Sequence, residues 1–95
     1  MIFEWDPAKN EEKIRKHFLD FSDAHEIFGG PMLVAANDRF EYGEVRIRAI
    51  GFLRNLVVVL VFTESKDDTI RLISLRKALK AERERFYEYL RNRLG

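Results

Sequence analysis

Seven consecutive apolar residues, Leu56-Val-Val-Val-Leu-Val-Phe62, interrupt a chain whose other apolar segments mostly alternate with polar positions. A run this short without polar alternation predicts a central strand covered on both faces. Val45-Arg-Ile-Arg-Ala49 repeats with period two and predicts a strand with one wet face. Thr69 to Arg76 predicts the last strand, with Ile70, Leu72, Ser74 and Arg76 on one face. Ile2 to Trp5 and Met32 to Ala36 are shorter strand signals, and Asn37 to Glu44 is a polar loop. Gly51 to Asn55 and Ser65 to Asp68 supply turns.

Helical spacing occupies the remainder. Asp6-Pro7 reads as an N-cap followed by proline at the first helical position, where a missing N–H costs nothing. The helix predicted from there to Phe18 carries Glu11–Arg15 and Glu12–Lys16 at i,i+4, over a thin apolar stripe of Ile14, Phe18 and the edge of His17. Phe21, Ala24, Ile27 and Phe28 mark a second, short helix, ended by Gly29-Gly30-Pro31. From about Ala78 a final helix runs on a stripe of Leu79, Phe86, Leu90 and Leu94. The reading is α+β: a short N-terminal strand, two helices, an antiparallel meander and a C-terminal helix, in one domain over residues 1–95.

Composition supports a packed core, because 46% hydrophobic and 13% aromatic residues in 95 are too many for disorder despite 35% charged residues. With no cysteine, disulfides, thiolate zinc sites and a cysteine nucleophile are excluded together. The longest apolar run is too short for a bilayer, and the Met1-Ile-Phe-Glu-Trp-Asp6 start is acidic where a signal peptide is basic, so a soluble, cytoplasmic protein is expected. His17 and His25 fall on different predicted helices, and there is no HExxH, nucleophile-elbow serine or glycine-rich phosphate loop. None of these patterns calls for a metal or a cofactor.

Charge adds a different pointer. The formal net charge of +1 divides into −4 over residues 1–70 and +5 over residues 71–95, an asymmetry that suits a polyanion or an ordinary solvated helix face. Arg46 and Arg48 share one strand face by alternation, while Arg71 and Arg76 lie on the last strand. Arginines on strands often cover sheet surface with their stems, but several converging guanidinium groups also clamp a phosphate through paired hydrogen bonds. Glu44 is placed either to pair with Arg46 or to act as a base, and His17 either to pack or to catalyse. Lys77, Lys80, Arg83 and Arg85 form a solvated face unless RNA or a protein covers them.

Read in order, these residues resemble BrnT-type toxins. The resemblance rests on Phe3-Glu-Trp-Asp6, Lys9, Lys16-His17, Phe21, Ala24, Phe28, Glu44-x-Arg46, Gly51, Arg71-x-Ile-Ser-x-Arg-Lys-Ala78 and Glu82-Arg83, and spans nearly the whole chain. It implies a toxin of a type II toxin–antitoxin system with a RelE-like ribonuclease fold, cutting RNA and thereby stopping translation. The implied partner is a BrnA-like antitoxin with a ribbon-helix-helix region, through which alone operator DNA is reached. The chain departs from the family pattern at Lys13, where asparagine is frequent, and at Phe18, where glycine is. It departs again at Leu75, Leu79 and Phe86, where a small residue, threonine and tyrosine are usual.

The chemistry implied is metal-independent transesterification by the ribose 2′-hydroxyl, which needs a base, cations for the transition-state charge and an acid for the leaving oxygen. Arg46, Arg71 and Arg76 are the expected phosphate clamps with Lys16 beside them, and His17 or Glu44 is the expected base. Lys9, Arg48, Lys77 and Arg83 are expected to bind RNA. The alternatives are a non-catalytic antitoxin-binding module acting as operon co-repressor, and a small nucleic-acid-binding domain outside any toxin system, which would lack a helix-turn-helix or an RNP-type aromatic motif here.

Overall fold

A computed structural model describes residues 1–35, 40–41, 44–65 and 67–94. Positions 36–39, 42–43, 66 and 95, which include most of the expected polar loop, lie outside the described residues, as do the side chains of Phe40, Glu41 and Leu94. The elements run β1 (Ile2–Glu4), α1 (Pro7–His17), a 3-10 turn (Phe21–Asp23), α2 (His25–Phe28), β2 (Met32–Ala35), β3 (Phe40–Glu41), β4 (Glu44–Val45), β5 (Ile47–Leu53), β6 (Leu56–Glu64), β7 (Thr69–Lys77) and α3 (Lys80–Leu94).

Five strands form one sheet in the order β1-β7-β6-β5-β2, and β3 pairs with β4 as a separate ribbon. The apolar run lies in β6, paired on both sides by β5 and β7, and its side chains alternate between two cores. Val58, Leu60 and Phe62 pack with Leu19, Phe21, Ala24 and Ile27, whereas Val57 and Val59 pack with Ala78 and Phe86. Each such side chain, fully buried, contributes roughly 1.5–3 kcal/mol. The expected α+β order holds, but the sheet is mixed: β1 runs parallel to β7, Ile2 opposite Thr69 and Glu4 opposite Arg71.

Several local expectations are corrected. The turn expected over Gly51 to Asn55 shrinks to Arg54-Asn55, because Gly51 belongs to β5. A Cβ at Gly51 would stand 2.8 Å from Ile27 Cγ2, so the glycine there lets α2 settle onto the strand. The single face expected for Ile70, Leu72, Ser74 and Arg76 is broken by a bulge, since Val61 pairs with Ser74 but Phe62 with Leu72. Ile70, Leu72 and Leu75 therefore all reach the first core, and Arg76 turns to the α3 side instead.

The stripe expected on α1 is also absent. Ile14, His17 and Phe18 are exposed, and Asn10 is the buried position of that helix. Leu79 is exposed as well, because it precedes α3 and has no core to face. No helix among the described residues is long and apolar enough to cross a membrane.

Candidate functional site: a basic groove along the first helix

β1 pairs only with Thr69 to Arg71, so the rest of the outer edge of β7 has no strand beside it among the described residues. Helix α1 runs along that edge. Asp6 sets its start, accepting from the N–H of Ala8 at 2.9 Å and of Lys9 at 3.4 Å. Lys13 Nζ donates to the Leu75 carbonyl at 2.8 Å and stands 5.4 Å from the centre of the Phe21 ring. Burial, aided by the charge of Lys9, pushes the Lys13 ammonium below its ordinary pKa. Asn10 fixes the far side of the helix, accepting from the Phe21 N–H at 2.8 Å and donating to Asp20 Oδ1 at 2.9 Å.

Three depressions follow one another along α1. The first, of about 310 Å³, is lined by Asp6, Lys9, Phe21, Glu44, Arg46 and Arg71, with Leu72 and Ile73 of the bulge. Lys9 continues into a middle depression of about 220 Å³ with Glu12, Lys13, Lys16 and His17. Lys13, Lys16 and His17 continue again into a third, of about 280 Å³, closed by Phe18, Leu75, Arg76 and Lys77. Shared residues make these one groove.

Four of the sequence-predicted residues, Lys9, Glu44, Arg46 and Arg71, meet at the first depression. Arg46 sits in the one-residue break between β4 and β5 and is half-buried. Arg71 is exposed, with Nη1 3.7 Å from Glu4 Oε1. Lys16, His17 and Lys77 gather at the other end, where Lys16 Nζ lies 2.7 Å from Glu12 Oε1 in an exposed pair.

Arg76 borders that end, but its guanidinium is engaged elsewhere. It makes two parallel bonds to Glu82, Nη1 to Oε1 at 2.8 Å and Nη2 to Oε2 at 2.9 Å. Glu82 also accepts the Leu79 N–H at 2.8 Å, the half of a capping box that the third helical residue provides, whereas Leu79 has no side-chain oxygen for the other half. The Arg76 bonds, helped by the Leu79 N–H and the charge of Arg48, hold the buried Glu82 carboxyl down to about 2. Arg48 is exposed and does not join Arg46 in the cleft. Arg83 donates to the Ala78 carbonyl at 2.9 Å, at the start of α3 and away from the groove. Among the described residues no three His, Asp or Glu side chains gather as metal ligands.

Residues 5–82 match the model of a family described as the ribonuclease toxin, BrnT, of type II toxin–antitoxin systems. The chain belongs to the BrnT toxin family. Among solved structures it is similar to the ribonuclease toxin BrnT of Brucella abortus, with 26% identity and a TM-score of 0.64, covering 84% of this chain and all of that one. A comparison with curated proteins found no match.

The BrnT match takes in the whole groove and Glu82, and stops before most of α3. Sequence reasoning missed five residues that shape the groove: Asn10, Lys13, Phe18, Phe21 as a wall, and Asp6 as rim as well as cap. Asp6-Pro7 carried a readable capping signal, but nothing local says that the cap will face Arg71. Asn10 and Lys13 lie off the thin apolar stripe of Ile14, Phe18 and His17 that the sequence offered for this helix.

Proposed function

We propose that this BrnT-family toxin is a metal-independent endoribonuclease whose reacting phosphate sits in the cleft of Lys9, Glu44, Arg46 and Arg71. The observation that carries the reading is the meeting there of the Glu44 carboxylate with two guanidinium groups and an ammonium, beside an Asp6 carboxylate already engaged in capping α1, whereas His17 lies at the far end of the groove. Arg46 and Arg71 hold the non-bridging oxygens and offset the charge added in the transition state. The Glu44 carboxylate takes the proton of the ribose 2′-hydroxyl, and the 2′-oxygen attacks the adjacent phosphorus. The bond from phosphorus to the 5′-oxygen breaks, its electron pair staying on that oxygen, which takes a proton from the Lys9 ammonium. The products are a 2′,3′-cyclic phosphate and a 5′-hydroxyl end. Arg76 serves the fold through Glu82 and acts on RNA only from the groove's lower rim.

Cutting RNA in this way stops translation, and a BrnA-like ribbon-helix-helix antitoxin restores growth by covering the basic groove. The test is incubation of purified toxin with RNA in the presence of EDTA, with end-group analysis of the fragments. Cyclic phosphate ends, lost when the antitoxin is added, are expected. RNA left intact both alone and with translating ribosomes would overturn the enzymatic reading, and cleavage abolished by EDTA would overturn its metal independence.

A further inference from the structure

Phe18 closes α1 with φ 58 and ψ 27, its N–H donating to the Ile14 carbonyl at 3.0 Å. This left-handed conformation strains a bulky side chain and costs glycine nothing. Burial does not explain the ring either: it is 88% exposed, the highest value among the large apolar side chains of the described residues. A residue unfavourable for both backbone and solvation is thus held on a short, hydrogen-bonded turn at the end of α1.

Its surroundings are cationic. Phe18 lines the third depression of the groove with Lys13, Lys16, His17, Arg76 and Lys77. Lys16 is tied only to Glu12 in an exposed pair, and Lys77 is exposed. Exposed pairs of that kind are weak and yield readily to a phosphate. Lys9 in the cleft and Phe18 are nine residues apart in the chain, a helical rise of about 13 Å, so the ring stands beyond the reacting nucleotide along the strand.

Cations along a groove with an aromatic face among them form the arrangement that holds single-stranded nucleic acid, the cations on phosphates and the ring on a base. We propose that Phe18 is a stacking platform for an unpaired base of the RNA, beyond the nucleotide that is cut. The proposal rests on the reading of the cleft as an RNA-cleaving site. Because every base has a π-face, such a platform favours unpaired over duplex RNA and discriminates little among bases.

The test uses a short single-stranded RNA with 2′-O-methyl groups throughout, which lacks the attacking hydroxyl, and measures its binding by fluorescence anisotropy. Phe18→Gly and Phe18→Asn, both at ease in the left-handed region, are expected to melt no lower than wild type, yet to bind this RNA about 5- to 150-fold more weakly, the range for loss of one stacked base. Phe18→Trp is expected to retain wild-type affinity. Wild-type binding unchanged by Phe18→Gly and Phe18→Asn would overturn the platform while leaving the cleft reading standing. No binding by wild type would overturn both. Variants that weaken antitoxin binding but not RNA binding would assign the ring to the protein partner and overturn the platform.

Discussion

Asn10 joins α1 to the turn after it through two hydrogen bonds, one from the buried Phe21 N–H and one to Asp20. Phe21 is both a core residue and the wall of the cleft, so this one amide sets how far the helix stands from Arg46 and Arg71. Removing it leaves the Phe21 N–H without its acceptor in a buried position, and the cost of such an orphan adds to the lost bonds. Asn10→Ala is expected to lower stability by about 2–3 kcal/mol, seen in thermal unfolding as a midpoint fall of roughly 10–20 °C for a domain of this size. Lys16→Ala removes only an exposed pair with Glu12 and is expected to change stability by less than about 1 kcal/mol. A midpoint equal to wild type for Asn10→Ala would contradict the clasp.

At the scale of elements, the pair Arg76–Glu82 is what fastens the end of β7 to the start of α3. The Glu82 carboxyl is held at about 2 in the folded chain against an ordinary 4.5. A depressed carboxyl stabilises the fold fully above the ordinary value, and the contribution fades as pH falls from 4.5 towards 2. Glu82→Gln is expected to cost about 2 kcal/mol at neutral pH and to flatten the loss of stability across that acid window, both measured by urea unfolding at a series of pH values. An acid slope as steep as that of wild type would contradict it.

The same elements show where the sequence was readable. β6 declared itself through an unbroken apolar run, and β7 through strict alternation up to Leu72. The bulge at Ile73 leaves no mark in composition, since it arises from pairing with β6, and it decides that Arg76 meets Glu82 instead of the cleft. Gly51 looks like a turn residue until α2 is packed on it, and Leu79 looks like core until α3 begins one residue later. Arg46 and Arg48 alternate in sequence, but the break before β5 sends them to different surroundings. The BrnT resemblance was carried by an ordered set of residues over the chain, and the family match over residues 5–82 covers most of that set.

Across the whole molecule, the net charge of +1 hides a groove assembled from both halves of the chain: Lys9, Glu44 and Arg46 from the acidic part, Arg71 from the basic part. Among the described residues three cations line the cleft, and acidic side chains sit beside them. Few phosphates are neutralised in that arrangement, so counterion release contributes little. The affinity for uncleavable single-stranded RNA is expected to fall with a slope of about −2 to −3.5 in log K against log salt, from the three cleft cations alone to those three with Lys16 and Lys77. A slope steeper than about −5 would require a far larger basic surface than the groove offers.

The claim on which the rest depends is that Glu44 acts chemically in the cleft beside Arg46 and Arg71. Its most direct test is the single-turnover rate of RNA cleavage by Glu44→Gln, a nearly isosteric change, compared with wild type at equal thermal midpoint. A rate lower by about 100-fold or more is expected. A rate equal to wild type, with RNA bound and the protein folded, would contradict the account and move the base away from this cleft.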